Sequence, residues 1–258
     1  MKVALIADDF SIERGTGIAR YSQELLTGLS NRGLQVEAIS SNPPKIPFGD
    51  VIRHTIKLPY QVLKKGDNFD LLHATAPITT ISFPFIKNPK IVTFHDMVSI
   101  LCESSGARLH AKFSLPFLFR IAARHCNKII AVSTQTKEEL IKYLKVPEQK
   151  IIVINNGISE IFKPMKKKDH NYHVIGYIGA LAARKRIDYL IGAFYYLKKK
   201  YPELKVKLSI YGKKSQEHSK LVKLVKDLNL KLDKDIEFKG FVPDEKLVEV
   251  YNSFDVFV

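Results

Sequence analysis

The 258-residue chain is 45% hydrophobic and 26% charged, which excludes a disordered protein and leaves room for two domains of ordinary size. Lys and Arg outnumber Asp and Glu by 41 to 26, a formal net charge of +15 at pH 7. That excess suits an acidic partner (nucleic acid, anionic lipid or phosphorylated metabolites), or merely solvated helix faces such as "YYLKKKYPELKVK"; no zinc-finger spacing or RNA-recognition signature accompanies it, so nucleic acid is not expected.

"KVALIAD" predicts a first strand. Its apolar stretch is too short, and acids follow it too soon, for a signal peptide. The glycine loop "ERGTGIARY" leads into a helix with Ile18, Tyr21, Leu25, Leu26 and Leu29 on one face and Gly33 closing it. Gly15 and Gly17 at a helix start let backbone N–H groups approach a phosphate. The loop is not the dinucleotide fingerprint, because Arg20 stands where the third glycine belongs; a plain tight turn is the alternative. "LQVEAIS", "FDLLHA", "KIVTFHD", "NKIIAVS" and "KIIVINN" predict further strands. "TQTKEELIKYL" is a helix that Ser133 or Thr134 can cap. The two cysteines, Cys102 and Cys126, have no paired spacing, so they make neither a disulfide framework nor a zinc site and read as reduced thiols of a cytoplasmic protein. No run approaches the ~20 apolar residues that span a bilayer.

Past Ile161 the alternation lapses in "FKPMKKKDHNYH", an exposed linker, and then restarts. Strands "VIGYIG", "KVKLSIYG", "DIEFKG" and "DVFV" alternate with helices "IDYLIGAFYYLKKKY", "SKLVKLVKDLNL" and "DEKLVEVYNSF". Strands apolar throughout and separated by helices predict parallel sheets covered on both faces. The expected fold class is therefore α/β: two Rossmann-like doubly wound domains, residues 1–165 and 166–258, the second incomplete. Ligands of such sheets sit at the carboxyl ends of the strands, which points to the cleft between two such domains. Those ends carry Gly15 and Gly17, His73, His95 and Asp96, Ser133, then Gly179 with Arg184 and Lys185, Gly212 with Lys213, and Gly240 with Phe241 and Val242. The stretch "GALAARKR" poses a question of its own. Three cations at a helix start oppose the macrodipole, so an anion from the protein or from a ligand is expected there.

The stretches "GTGIARYSQELLTGL", "FDLLHA", "TFHD", "AVSTQTKEEL", "VINNGIS", "GYIGALAARKRIDYLIGAF", "LSIYGKK" and "IEFKGFVPDEKLVEVYNSFDVFV", in that order over nearly the whole chain, resemble the family-four retaining glycosyltransferases of the two-Rossmann-domain GT-B class. The resemblance implies a hexosyl-type transfer from a nucleotide-sugar donor to a carbohydrate or lipid-linked acceptor, with retention of configuration, no cofactor and no metal. It implies that Arg184 and Lys185, with Gly179 and Gly17, bind the donor diphosphate. Many family members instead have Arg directly after the strand-ending glycine, where this chain has Ala180; Arg186 stands where the family often has glycine and is given no role. His95 is the expected catalytic residue near the transferred sugar, against the alternative of a core histidine satisfied by a carbonyl. Phe241 and Val242 match the segment that reads the nucleobase. His73 reads as structural, and Asn155, Asn156 and Gly157 as a hinge turn.

"RLHAKFSLPFLFRIAARHCNK", residues 108–128, interleaves Phe113, Phe117 and Phe119 with Arg108, Lys112, Arg120, Arg124 and Lys128. Such a helix suits peripheral contact with the anionic inner face of a membrane. A core helix is the alternative, and Pro116 argues against one unbroken surface helix. In the family the strand matching "DVFV" runs on into a helix carrying two glutamates, and the chain stops before them. The expectation is a truncated form, itself inactive or nearly so; a nucleotide-sugar-binding fragment or regulatory subunit is the alternative function.

Overall fold

The computed structural model describes residues 1–11, 17–42, 49–101, 109–166 and 171–258. Gly15, Cys102, Arg108, Lys167 and Lys168 lie outside the described residues, as do the side chains of Lys112 and Phe113. Two compact units emerge, Met1–Gly157 and Ile158–Val258.

The first unit holds strands β1 (Lys2–Ile6), β2 (Gln35–Ile39), β3 (Leu71–Ala74), β4 (Lys90–Phe94), β5 (Lys128–Ala131) and β6 (Ile151–Val153). They form one parallel sheet in the order β2-β1-β3-β4-β5-β6. Helix α1 (Gly17–Asn31) ends at Gly33, whose φ of +79° is the left-handed geometry that closes a helix. Between β2 and β3 run α2 (Gly49–Ile52), a π turn (Arg53–Lys57) and α3 (Leu58–Lys65). After β4 come α4 (Val98–Leu101), α5 (Leu109–His125) and then α6 (Thr134–Leu144), capped by Ser133, whose Oγ accepts from the Thr136 N–H at 3.1 Å. Leu72, Val92, Phe94, Ile129, Leu58, Val62, Phe119, Ala122 and Leu140 meet in the core.

One expectation is corrected. Helix α5 runs unbroken through Pro116. The ring removes a single backbone hydrogen bond, while Phe119, Ala122 and Ala123 bury against the sheet, so tertiary packing carries the helix past it. Phe117, 60% exposed, stays on the outer side with Arg120 and Arg124. Cys126 is a free buried thiol whose pKa desolvation pushes up to about 11, which keeps it protonated and unreactive. No helix among the described residues is long and apolar enough to cross a membrane.

The second, smaller unit has β7 (His173–Ile178), α7 (Ile187–Lys200), β8 (Val206–Tyr211), α8 (Gln216–Asp227), β9 (Ile236–Gly240), α9 (Asp244–Asn252) and β10 (Val256–Phe257). Its sheet is also parallel, in the order β10-β7-β8-β9. Strand order reverses at β7, so the carboxyl end of β7 borders the switch point where ligands of such sheets bind.

Candidate functional site

At the end of β7 the chain leaves Gly179 and winds a single 3-10 turn, Ala183–Lys185, before α7. Gly179 N–H donates to the Tyr211 carbonyl at 3.0 Å, and the Tyr177 hydroxyl donates to the Ala180 carbonyl at 3.1 Å. The three cations of this turn then part company. Arg186, at φ +49°, folds back so that its Nε and Nη2 donate to the Asp188 carboxylate at 3.1 and 2.8 Å, and its guanidinium stacks on Tyr189, 3.6 Å from the ring centroid. The hydrogen bonds from Arg186 hold the Asp188 carboxyl below the usual carboxylate range. Arg184 and Lys185 are exposed, and among the described residues neither meets a carboxylate. Burial pushes the Tyr177 phenol up, and the charge of Arg184 opposes it.

The turn after β8 packs tightly on this one. A Cβ added to Gly212 would lie 2.1 Å from the Gly179 carbonyl oxygen, a backbone atom with little room to yield. Gly212→Ala is therefore expected to destabilise the second unit by about 1–3 kcal/mol, as overpacking does; thermal unfolding checks this, and a midpoint equal to the parent's would show that the two turns can separate. Ser215 Oγ adds a further tie, donating to the Leu181 carbonyl at 2.6 Å while capping α8. Beyond β9, Val242 is buried and Phe241 is not. The second unit thus brings Gly179, Arg184, Lys185, Phe241 and Val242 to one edge, on the neighbouring ends of β7, β8 and β9.

The first unit gathers Gly17 and His95. Gly17 opens α1, and one turn later Tyr21 sets its ring edge-on to His95, centroids 4.8 Å apart. His95 Nε2 lies 2.9 Å from the Thr75 carbonyl. A carbonyl only accepts, so Nε2 carries the proton. Desolvation lowers the His95 pKa, although the Thr75 carbonyl and Asp96 oppose it, so the ring is neutral and its lone pair falls to Nδ1. Among the described residues Nδ1 meets no donor. His73 is different: it is buried, with Nε2 2.9 Å from Thr93 Oγ1, which also lies 3.1 Å from the Tyr21 hydroxyl. It holds the sheet to α1 and faces no solvent.

One cluster was missing from the sequence reading. Asp8, just past β1, accepts at a single oxygen from Arg53 Nη2 at 2.7 Å and lies 2.6 Å from His54 Nε2, while Arg53 also reaches Asp50 at 3.1 Å. The π turn makes this possible by aiming consecutive residues at one carboxylate, and such turns recur at functional sites. Its sequence signal was the acidic pair closing "KVALIADD".

Two hollows in the second unit lie away from these strand ends. One of about 470 Å³ is lined by His173, Tyr201 and Lys205, and another of about 450 Å³ by Phe162, Tyr251 and Asn252. The candidate site is a rim of turns. Among the described residues no three His, Cys, Asp or Glu side chains converge as a metal set.

Comparison with known proteins places this arrangement. The family model described as Glycosyltransferase Family 4 matches residues 15–160, more than half of the chain, and the model for Glycosyl transferases group 1 matches residues 172–258. The chain belongs to glycosyltransferase family 4. It is 29% identical over 168 residues to mannosylfructose-phosphate synthase of Agrobacterium fabrum, a match covering 57% of this chain and 37% of that protein. The fold is similar to the catalytic domain of starch synthase IV from Arabidopsis thaliana, bound to ADP and acarbose (TM-score 0.67, 12% identity, 99% of this chain and 77% of that one). It is also similar to a glycosyltransferase from Rickettsia africae (TM-score 0.59, 18% identity, 99% and 72%) and to TarM (TM-score 0.60, 19% identity, 78% and 38%). The architecture of this family-four glycosyltransferase is GT-B, with two parallel α/β sheets of six and four strands. The chain spans 37% of the length of the synthase it matches.

Proposed function

We propose that this glycosyltransferase moves a sugar from a nucleotide-sugar to an acceptor hydroxyl with retention of configuration. The observation that carries the reading is the division of labour in the turn after β7: Arg186 is neutralised by Asp188, and Arg184 and Lys185 are left for an outside anion. As the bond between sugar and diphosphate breaks, negative charge grows on the leaving phosphate oxygen. Arg184 can meet it bidentately and Lys185 as a point charge. The amides around Gly179, and in the first unit Gly17 at the start of α1, are further donors for phosphate oxygens. Phe241 and Val242 supply the edge against which the base lies. Structural relatives support a nucleotide and a sugar as ligands: starch synthase IV is bound to ADP and acarbose, and the pneumococcal O-GlcNAc transferase GtfA to UDP and GlcNAc.

His95 is the catalytic residue of this scheme. Its neutral Nδ1 accepts a hydrogen bond from a hydroxyl of the transferred sugar and so orients the sugar in the transition state. His95→Ala is expected to lower turnover by about 10²-fold or more while leaving nucleotide diphosphate affinity nearly unchanged. Steady-state kinetics beside calorimetry checks this, and a loss confined to affinity would make His95 a binding residue. The acceptor is a carbohydrate or a lipid-linked carbohydrate. For the latter, the exposed Phe117, Arg120 and Arg124 of α5 offer a contact with an anionic membrane surface. Calorimetry with uridine and guanosine diphosphates against a short oligonucleotide tests the whole reading; oligonucleotide binding without diphosphate binding would discard it.

A further inference from the structure

The turns after β8 and β9 hold a pair of side chains, Lys213 and Phe241, of which the scheme above leaves Lys213 without a task. Gly240, at φ +76°, takes a left-handed geometry open to glycine without strain and swings the chain out of the sheet. Val242, 9% exposed, anchors the chain again, and between them Phe241 keeps 44% of its surface exposed. From the neighbouring turn Lys213 sets its Nζ over the Phe241 ring, 4.8 Å from the centroid. The Gly212 N–H donates to the Gly240 carbonyl at 2.8 Å, so the stems of the two turns are locked side by side. Among the described residues no carboxylate pairs with Lys213.

A lysine this near Arg184 and Lys185 invites assignment to the phosphates as well. The geometry points elsewhere. β8 lies between β7 and β9, and the contact with Phe241 draws the ammonium toward β9, away from the cationic turn that follows β7. The ring also removes much of the freedom of a long flexible stem, which by itself would carry a charge without reading shape. What results is a group biased toward one place that donates hydrogen bonds and cannot accept them, beside an exposed aromatic surface. A nucleobase has both matching features: a flat face for the ring and an exocyclic group at its edge. A carbonyl oxygen there accepts from the ammonium. An amine there offers a donor to a donor.

We propose that Lys213, held by Phe241, selects the base of the donor nucleotide, favouring bases with an exocyclic carbonyl (uracil, hypoxanthine or guanine) over the counterparts with an amine at that position (cytosine or adenine). This rests on the nucleotide-sugar reading above. The test is calorimetry of the whole chain with two matched pairs, uridine against cytidine diphosphate and inosine against adenosine diphosphate. Within each pair the ring system is the same, and the group facing Lys213 changes. The carbonyl member is expected to bind about tenfold tighter in whichever pair binds, the scale of a hydrogen bond to a charged group. Lys213→Met, which keeps the length of the stem, should erase the preference by weakening the carbonyl member and leaving the amino member nearly unchanged. Phe241→Leu, which frees the ammonium, should narrow the preference without changing affinity for inorganic pyrophosphate. Arg184→Ala should weaken all four ligands alike. Equal affinities within both pairs, or a uniform loss across all four in Lys213→Met, would overturn the inference and return Lys213 to the phosphates. If the parent chain binds no nucleotide diphosphate, the nucleotide reading itself falls, an outcome distinct from diphosphate binding that ignores Lys213.

Discussion

Arg184→Ala and Lys185→Ala are each expected to weaken nucleotide diphosphate binding by about 1–3 kcal/mol, the scale of a charge-assisted hydrogen bond, while Arg186→Ala leaves it near the parent value. The contrast among three adjacent cations makes the test sharp. All three face the positive end of the α7 dipole, so each is unfavourable there until an anion arrives. Arg186 has found its anion in Asp188, two residues on, and its guanidinium rests on Tyr189. The other two have not, and a diphosphate brings the missing charge. The corresponding nucleoside has no phosphates and should bind all three variants with nearly the same affinity. Titration calorimetry at two salt concentrations separates local contacts from the general field of a chain with net charge +15, because screening weakens the field more than a direct contact. If both alanine variants kept the parent affinity, the clamp would be misassigned. Equal losses in all three would mean that the turn acts only through its summed charge.

That partition was not legible in the sequence, where "ARKR" presents its cations as equals. It depends on Arg186 adopting φ +49°, a conformation uncommon for a residue with a Cβ, which turns the side chain back over the first turn of α7. The sheets were legible, because a doubly buried parallel strand such as Lys2–Ile6 or His173–Ile178 carries apolar residues on both faces. Residues 49–65 gave no comparable signal. Leu58 and Val62 are buried there, but Ile56, Tyr60 and Leu63 are exposed, so apolar residues fall on both sides of the helix and blur its period. The Asp8 cluster was hidden for a different reason. Its partners stand more than forty residues away on that unrecognised helix, and the π turn that aligns them leaves no compositional trace. His95 was half legible: its place at a strand end followed from "TFHD", but the tautomer came only with the Thr75 carbonyl.

Acidification is expected to destabilise the first unit by about 3 kcal/mol between neutral pH and pH 4, with His73 as the main cause. Burial lowers its pKa from the ordinary 6.5 to about 4, and the nearby His95 adds to the shift. Between those two values the unfolded chain takes up a proton that the folded chain refuses. The unfolded state then binds more protons, so stability rises with pH across this window and is lost as pH falls through it. His95 is shifted in the same direction, again by desolvation, and deepens the loss. The folded state has no easy way to host the charge. His73 Nε2 is committed to Thr93 Oγ1, and that hydroxyl is shared with Tyr21, whose own ionisation burial pushes upward. Amide exchange of Val92, Thr93 and Phe94 in β4, measured between pH 7 and pH 4.5 and corrected for intrinsic rates, reports the first unit without interference from the second. His73→Gln keeps a polar atom near the Nε2 position but cannot titrate, so it should flatten the slope whatever its effect on absolute stability. A parent protein whose β4 protection does not change across this window, or a glutamine variant with the parent's slope, would show that His73 is not the group that fails in acid.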